Sequence, residues 1–288
     1  VKRIFLNDCI LNIDIEDQAG WLNVPFFIVR AIAYLAIWMV FAFAMVKASR
    51  RQDLNGDLRY TLRNRKLSAA FLIVFGLTFT LASMDWIMSL EPRWYSTIFG
   101  FYNISGMFLN GLAAITILVI LLRRWGPLQK VVTASHLHDL GKLLFAFSTF
   151  WMYIWFSQYL LIWYANIPEE VVYFTHRETS SWVIFTGLNV VFNWLIPFVV
   201  LLPQWTKRNE GVLLRVCVLV MIGHWIDLFW MILPPFMKEG PELSVWEIGP
   251  MVGALALFLL ITLRSFSKAP SVPTGDPMLV ESLQYHED

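Results

Sequence analysis

Ser83-Met84-Asp85-Trp86-Ile87-Met88-Ser89-Leu90-Glu91-Pro92-Arg93-Trp94-Tyr95-Ser96-Thr97 decides how this chain is read. The stretch ends a long apolar run, carries an aspartate before that run is over, and then turns on Glu-Pro-Arg with tryptophans on both sides. Amphipathic rings of this kind anchor at a bilayer interface. Asp85 is therefore expected inside a membrane or just below its surface.

The whole sequence has the same character. Of 288 residues 58% are hydrophobic and only 15% charged, and the mean hydropathy is +0.59. Soluble domains carry about a quarter charged residues. The composition points to an all-α integral membrane protein, and the 14 Trp and 23 Phe suit that class. A net charge of +1 gives no basic face for a nucleic acid. The two cysteines, Cys9 and Cys217, form no CxxC or CxxCH run, so neither an iron-sulfur cluster nor a c-type haem is expected on this chain.

Working outward, seven apolar stretches are long enough at ~1.5 Å per residue to cross a ~30 Å hydrocarbon core. They are A (Trp21 to Val46), B (Leu67 to Leu90), C (Ile98 to Leu122), D (Gly141 to Ala165), E (Ser181 to Leu202), F (Val212 to Leu233) and G (Trp246 to Phe266). Buried helices of a soluble protein would keep a polar face. Residues 1–20 read as a polar segment without a cleavable signal, and a first residue other than Met suggests that earlier helices precede it. The tail, 267–288, is rich in proline and acids and is expected to be poorly ordered.

Loop charges set the orientation. Fifteen Lys and Arg flank the A–B, C–D and E–F loops and the end of G, against five on the other side, where acids collect. The basic side is the cytoplasmic one. Residues 1–20 are then outside and the tail inside.

Five ionisable groups remain within the spans: Arg30, Asp85, Arg215, His224 and Asp227. Charge at membrane depth is costly and marks a functional candidate. Arg215 lies close enough to the cytoplasmic end to snorkel. Arg30 and Asp85 come to similar depths on antiparallel helices and could pair, either as a structural ion pair or as a proton- or substrate-handling group. His224 and Asp227, at i and i+3, share one face of helix F, where the carboxylate could orient the imidazole and raise its pKa. A plain helix-to-helix bond from His224 is the alternative. Aromatic helix D carries Gln158 as an amide donor, and helix E offers Asn189 and Asn193 at i and i+4, followed by Pro197, which could kink the helix. Asn103, Asn110, Gly106 and Gly111 suit close packing and interhelical bonds on helix C. A b-type haem would need two facing histidines, and only His224 lies within a span. The loop histidines His136, His138 and His176 are spaced too loosely for a metal site.

Ser83 to Gly100 (SMDWIMSLEPRWYSTIFG), His136 to Lys142 (HLHDLGK) and Phe147 to Glu170 (FSTFWMYIWFSQYLLIWYANIPEE) resemble the NrfD/polysulfide-reductase family of membrane subunits in alternative complex III. Within such complexes they are most similar to the second quinone-binding-type subunit, the ActF type. The resemblance is strong over helices B to F and looser elsewhere. It implies a ten-helix fold built from two four-helix bundles, of which this chain carries the C-terminal part. On that frame 21–90 (A and B) completes the first bundle, 98–233 (C to F) forms the second, and 246–266 (G) is peripheral. The implied activity is quinol:cytochrome c, or other high-potential acceptor, oxidoreduction in a bacterial inner membrane. The implied cofactor is a quinol, menaquinol or ubiquinol, with no prosthetic group on this chain. Implied partners are a paralogous NrfD-like subunit, an iron-sulfur protein of molybdopterin-enzyme type, c-type cytochromes and a terminal oxidase.

On this reading Asp85, His224 and Asp227 are the candidate catalytic groups, and Arg30, Gln158, Asn189 and Asn193 line a quinone or proton path. Family quinol sites lie near the outer end of the first bundle, partly beyond this sequence. Either this chain holds a quinol site, or it conducts protons or supports assembly while the paralogous subunit holds the site. A solute transporter is the third reading, and no internal repeat supports it.

Overall fold

A computed structural model describes residues 20–91, 94–178, 181–237, 240–242, 244–268 and 272–284. Residues 1–19 of the expected outer segment, with Cys9, and Pro92, Arg93, Lys238 and Glu239 lie outside the described residues. Everything regular in the rest is helical. The helices are α1 (Val24–Asn55), α2 (Leu58–Trp86), α3 (Phe99–Trp125), α4 (Ala134–Ala165), α5 (Pro168–Arg177), α6 (Val183–Val190), α7 (Ile196–Leu201), α8 (Gln204–Arg208), α9 (Glu210–Ile232), α10 (Val245–Phe266) and α11 (Leu279–Leu283). A 3₁₀ turn, Met88–Leu90, follows α2, and a π-helical turn, Val191–Leu195, joins α6 to α7.

Among the described residues, six helical segments are long and apolar enough to cross a membrane: α1, α2 with its 3₁₀ turn, α3, α6–α7, α9 and α10. The protein is thus an all-α, multi-pass membrane protein. Stretch D forms the 32-residue helix α4, which is not among the six. Its many Trp and Tyr, with polar tips, lower its mean hydropathy.

Local chemistry explains most boundaries. Asn23 caps α1 through Phe26 N–H, with Pro25 in its first turn, and Gly56 ends it in the left-handed conformation at φ 63°. Helices α1 and α2 both run past the expected span limits into the basic A–B loop, because Lys, Arg and Gln are good helix formers even where they cannot be apolar. Asn209 caps α9, and Ser244 with Glu247 forms a capping box on α10. The described residues 272–284 of the tail are more structured than expected: Gly275 N–H donates to Asp53 Oδ1 at 3.2 Å, and α11 brings Ser282 within 3.3 Å of His136.

The main apolar core runs from Trp94 to Met231 and lies between α3, α4, α6–α7 and α9. The α1–α2 hairpin leans on α3 and buries little of itself, and α10 buries none of its residues. In lipid, apolar burial does not drive helices together, so close approach matters more. A Cβ on Gly106 would sit 3.2 Å from His224 Cε1, and one on Gly223 only 2.8 Å from Asn193 Oδ1. Both glycines admit polar side chains between helices. Gly111, by contrast, faces no neighbour within 4 Å, and Asn103 donates to Phe99 O on its own helix at 3.0 Å rather than across to another.

Candidate functional site

The structure resolves the span polar groups into two clusters with different electrostatics. The first joins α1 to the end of α2. Arg30 Nε donates to Asp85 Oδ2 at 2.8 Å and Arg30 Nη2 to Asp85 Oδ1 at 3.0 Å, a two-point contact between buried side chains. Trp21 Nε1 and the Tyr34 hydroxyl donate to the same carboxylate at 2.7 and 3.1 Å. Arg30 also donates to Trp21 O at 2.8 Å, and its guanidinium lies 4.2 Å from the Trp21 ring and 4.3 Å from Phe26. Asp85 is thus neutralised by a cation and has its lone pairs filled.

The second cluster sits inside the helix bundle around Asp227. The Tyr102 hydroxyl of α3 donates to Asp227 Oδ1, as does Asn189 Nδ2 of α6 at 2.7 Å, and the Trp151 indole of α4 lies close to the same carboxyl. Asn193 Nδ2, on the π-helical turn, donates to Asn189 Oδ1 at 2.6 Å and so steadies it. Asp227, Asn189 and Asn193 are no more than 1% exposed. The turn exists because Pro197 has no N–H for a regular i−4 bond and the ladder slips, so that Ile196 N–H reaches Val191 O. Helix E is therefore interrupted one turn before the expected proline, and the interruption presents Asn193.

His224 does share the face of Asp227, but the expected dyad does not form. Its Nδ1 lies 3.9 Å from Asp227 Oδ2, beyond hydrogen-bond reach. Donors from α3 and α6 occupy the carboxylate instead, and His224 packs in the space left by Gly106. Gln158 is buried on α4, and no hydrogen bond joins it to Asp227, Asn189 or His224. Arg215 is exposed and bonds Gly211 O at 2.9 Å, as its position near the helix end implies. Among the described residues no three His, Cys, Asp or Glu side chains converge as metal ligands.

A third group was counted as loop charge in the sequence and proves to be interior. Arg177, at the end of α5, is 1% exposed. It donates to Glu91 Oε1 at 2.7 Å, Tyr173 O at 2.6 Å, Met231 O at 2.7 Å and Trp230 O at 3.1 Å. Two of those carbonyls are orphans of the α9 C-terminus, where a cation is doubly favoured. Its guanidinium lies 3.5 Å from the centre of the Tyr173 ring, which stacks on Trp94 at 3.9 Å. One side chain thus ties α5, the end of α9 and the Glu91 turn together above the Asp227 cluster. Burial pushes the Tyr173 hydroxyl well above the usual tyrosine range; nearby Arg177 works against this shift, and Glu91 and Asp227 add to it.

The sequence signal for α5 was present. Pro168 with Glu169 and Glu170 in a first turn, and His176 and Arg177 in a last, are helix start and stop marks. Tyr102, Trp151, Tyr34 and Trp21 carried no mark distinguishing them from the aromatics that merely pack. No family model matches the chain, and no curated protein matches it.

Proposed function

We propose that this chain is a membrane subunit of a quinol:electron-acceptor oxidoreductase of the alternative complex III kind, and that its bundle handles protons through Asp227. One observation carries this reading: of the two buried aspartates, Asp85 faces a bonded arginine, whereas the hydrogen-bond donors of Asp227 are all neutral. A buried carboxylate with no cation beside it is placed to exchange a proton, where one locked in an ion pair is not. Asp85 is accordingly a structural ion pair tying α1 to α2, and Arg30 is its partner. His224, one turn away, is the second group able to exchange a proton within the bundle.

The resemblance supplies the reaction class, in which quinol oxidation releases two protons toward the outer side while electrons pass to a partner's cofactor. Tight closure around Asp227 favours proton transfer over direct quinol contact at that carboxylate. Quinol bound by His224 from the lipid side is the second reading, supported by the partial exposure of its ring, whose side chain is 15% accessible.

We infer that α4 also crosses the bilayer, giving seven spans. It is 32 residues long, about 48 Å at ~1.5 Å per residue, and packs along α3 and α7. With α3, α6–α7 and α9 it completes the second four-helix bundle of a ten-helix fold, the α1–α2 hairpin belonging to the first. The little-buried faces of α1 and α2 suit the addition of upstream helices there.

The test is quinol:acceptor turnover of the intact purified complex carrying His224→Ala with Asp227→Asn, with subunit content checked. Collapse of turnover with assembly intact supports the reading. Unchanged turnover would place both quinol oxidation and its proton release in the paralogous subunit.

A further inference from the structure

Both α1 and α2 continue as helix beyond their apolar spans, and the extensions carry the positive charge of the A–B loop. Gln52 Nε2 donates to Thr61 Oγ1 and Asn64 Nδ2 to Met45 O at 3.3 Å, which sets the register of the hairpin. Lys47, Arg50 and Arg51 are therefore level with Arg63 and Lys66 on the facing helix. At i, i+3 and i+4, Lys47, Arg50 and Arg51 share one face of α1; at i, i+4 and i+7, Arg59, Arg63 and Lys66 share one face of α2. The residues that bond across the seam lie about a third to half a turn round each helix from these triads, so both triads face away from it. All six residues are exposed, and among the described residues none of the six side chains has a hydrogen bond or an ion pair. The two acids of the loop are engaged elsewhere: Asp53 accepts from Gly275 N–H, and Asp57 caps α2 through Arg59 N–H at 2.8 Å. Other loops on the basic side differ. There Arg123 and Arg124 bond Glu210, Lys142 bonds Asp139, and Lys207 donates to the carbonyls of Leu201 and Leu202.

Depth decides what the triads meet. The headgroup layer is ~5–7.5 Å thick on each side of the hydrocarbon core. The apolar spans end at Val46 and begin again at Leu67, so at ~1.5 Å per residue every member of the triads except Arg59 lies within ~7.5 Å of a span end. We propose that the basic end of the α1–α2 hairpin binds the headgroups of anionic phospholipids, one cluster on each flank. The phosphodiester is the group recognised: the arginines offer forked N–H donors to its oxygens, and Lys47 and Lys66 a point charge at the base of each triad. Lipids of net negative charge are preferred, since a zwitterionic headgroup brings its own cation to the same place. An acidic protein surface would reach Arg59, which stands clear of the layer, better than the cations within it. The inference does not depend on the quinol reading, and it gives a hairpin that buries little of itself against the bundle a second hold in the membrane.

The test is photo-crosslinking of the protein, purified with the subunits that accompany it, in vesicles holding equal amounts of phosphatidylglycerol and phosphatidylcholine analogues. Both analogues carry the same photoreactive group at the top of one acyl chain, and bound lipid is measured by mass spectrometry on peptides from 47–66. The expected result is labelling by the phosphatidylglycerol analogue at least ~three-fold above the phosphatidylcholine one, falling toward parity at high salt. The triads are substituted one at a time, as Lys47→Gln with Arg50→Gln and Arg51→Gln, or as Arg59→Gln with Arg63→Gln and Lys66→Gln, so that the remaining basic residues hold the orientation. Each set should abolish the preference on its own helix and leave it on the other, whereas Arg50→Lys with Arg51→Lys keeps the charge and should keep the preference. Equal labelling by the two lipids in the native protein overturns the proposal with no variant needed. So does a preference that survives loss of its triad, or a hairpin that crosslinks to a protein chain in place of lipid.

Discussion

Arg177→Met removes a charge that four acceptors depend on. It leaves the Glu91 carboxylate without its cation and strips the guanidinium from the carbonyls of Tyr173, Trp230 and Met231. Breaking one partner out of a buried pair costs ~3–5 kcal/mol. Because Glu91 is 12% accessible and can recover some hydration, the lower end, ~3 kcal/mol, is the expected loss. Glu91→Gln keeps an acceptor oxygen for Arg177 and should cost only ~1–2 kcal/mol. The double variant should cost less than the sum of the two by ~1–3 kcal/mol, since both act on one contact. The assay is equilibrium unfolding in mixed micelles, read by the fluorescence of Trp94 and Trp230, which lie in the same aromatic cluster. A single-variant loss below ~1 kcal/mol, with the two substitutions additive, would show that Arg177 is solvated as the loop reading assumed.

Other substitutions probe the remaining contacts. Gly223→Ala drives a Cβ to 2.8 Å from Asn193 Oδ1 and 2.9 Å from Phe192 Cβ, so it should displace the π-helical turn and cost ~1–3 kcal/mol in the same unfolding assay. Glu210→Gln should change stability by less than ~1 kcal/mol, because its pairs with Arg123 and Arg124 are roughly a quarter to a third accessible and screened by salt. Lys207, outside the spans, has its pKa lowered first by burial and then by Lys142. Below the folded-state value both states are protonated and the fold bears the full cost. As pH rises through that value toward the unfolded 10.5, the folded state sheds its proton first and the cost is relieved. Stability relative to Lys207→Met should therefore rise across that alkaline window, and a flat difference in a pH series would contradict the burial of this amine.

Which of these features the sequence foreshadowed follows from what it encodes. The Arg30–Asp85 contact was legible because two antiparallel helices joined by the A–B loop bring these residues to similar depths. Periodicity placed His224 and Asp227 on one face, but it says nothing of which neighbouring helix faces them. Tyr102 and Asn189 outcompete His224 for the carboxylate for that reason. Arg177 and Glu91 were misread because loop charges are normally solvated, and only the docking of α5 on the bundle makes them interior. The π-helical turn was half legible: Pro197 announced a break, while its position depends on how the backbone bonds slip upstream.

The account divides the two buried aspartates by what neutralises them, and one comparison tests that division. Quinol:acceptor turnover per assembled complex should be measured for Asp227→Asn and for Asp85→Asn side by side. Loss of a proton-transferring group costs ~10²–10⁴-fold. The expected result is a fall of at least ~10²-fold for Asp227→Asn, with Asp85→Asn lowering the yield of complex and leaving the turnover of what assembles near native. Native turnover in Asp227→Asn, or a collapse confined to assembled Asp85→Asn, would contradict it.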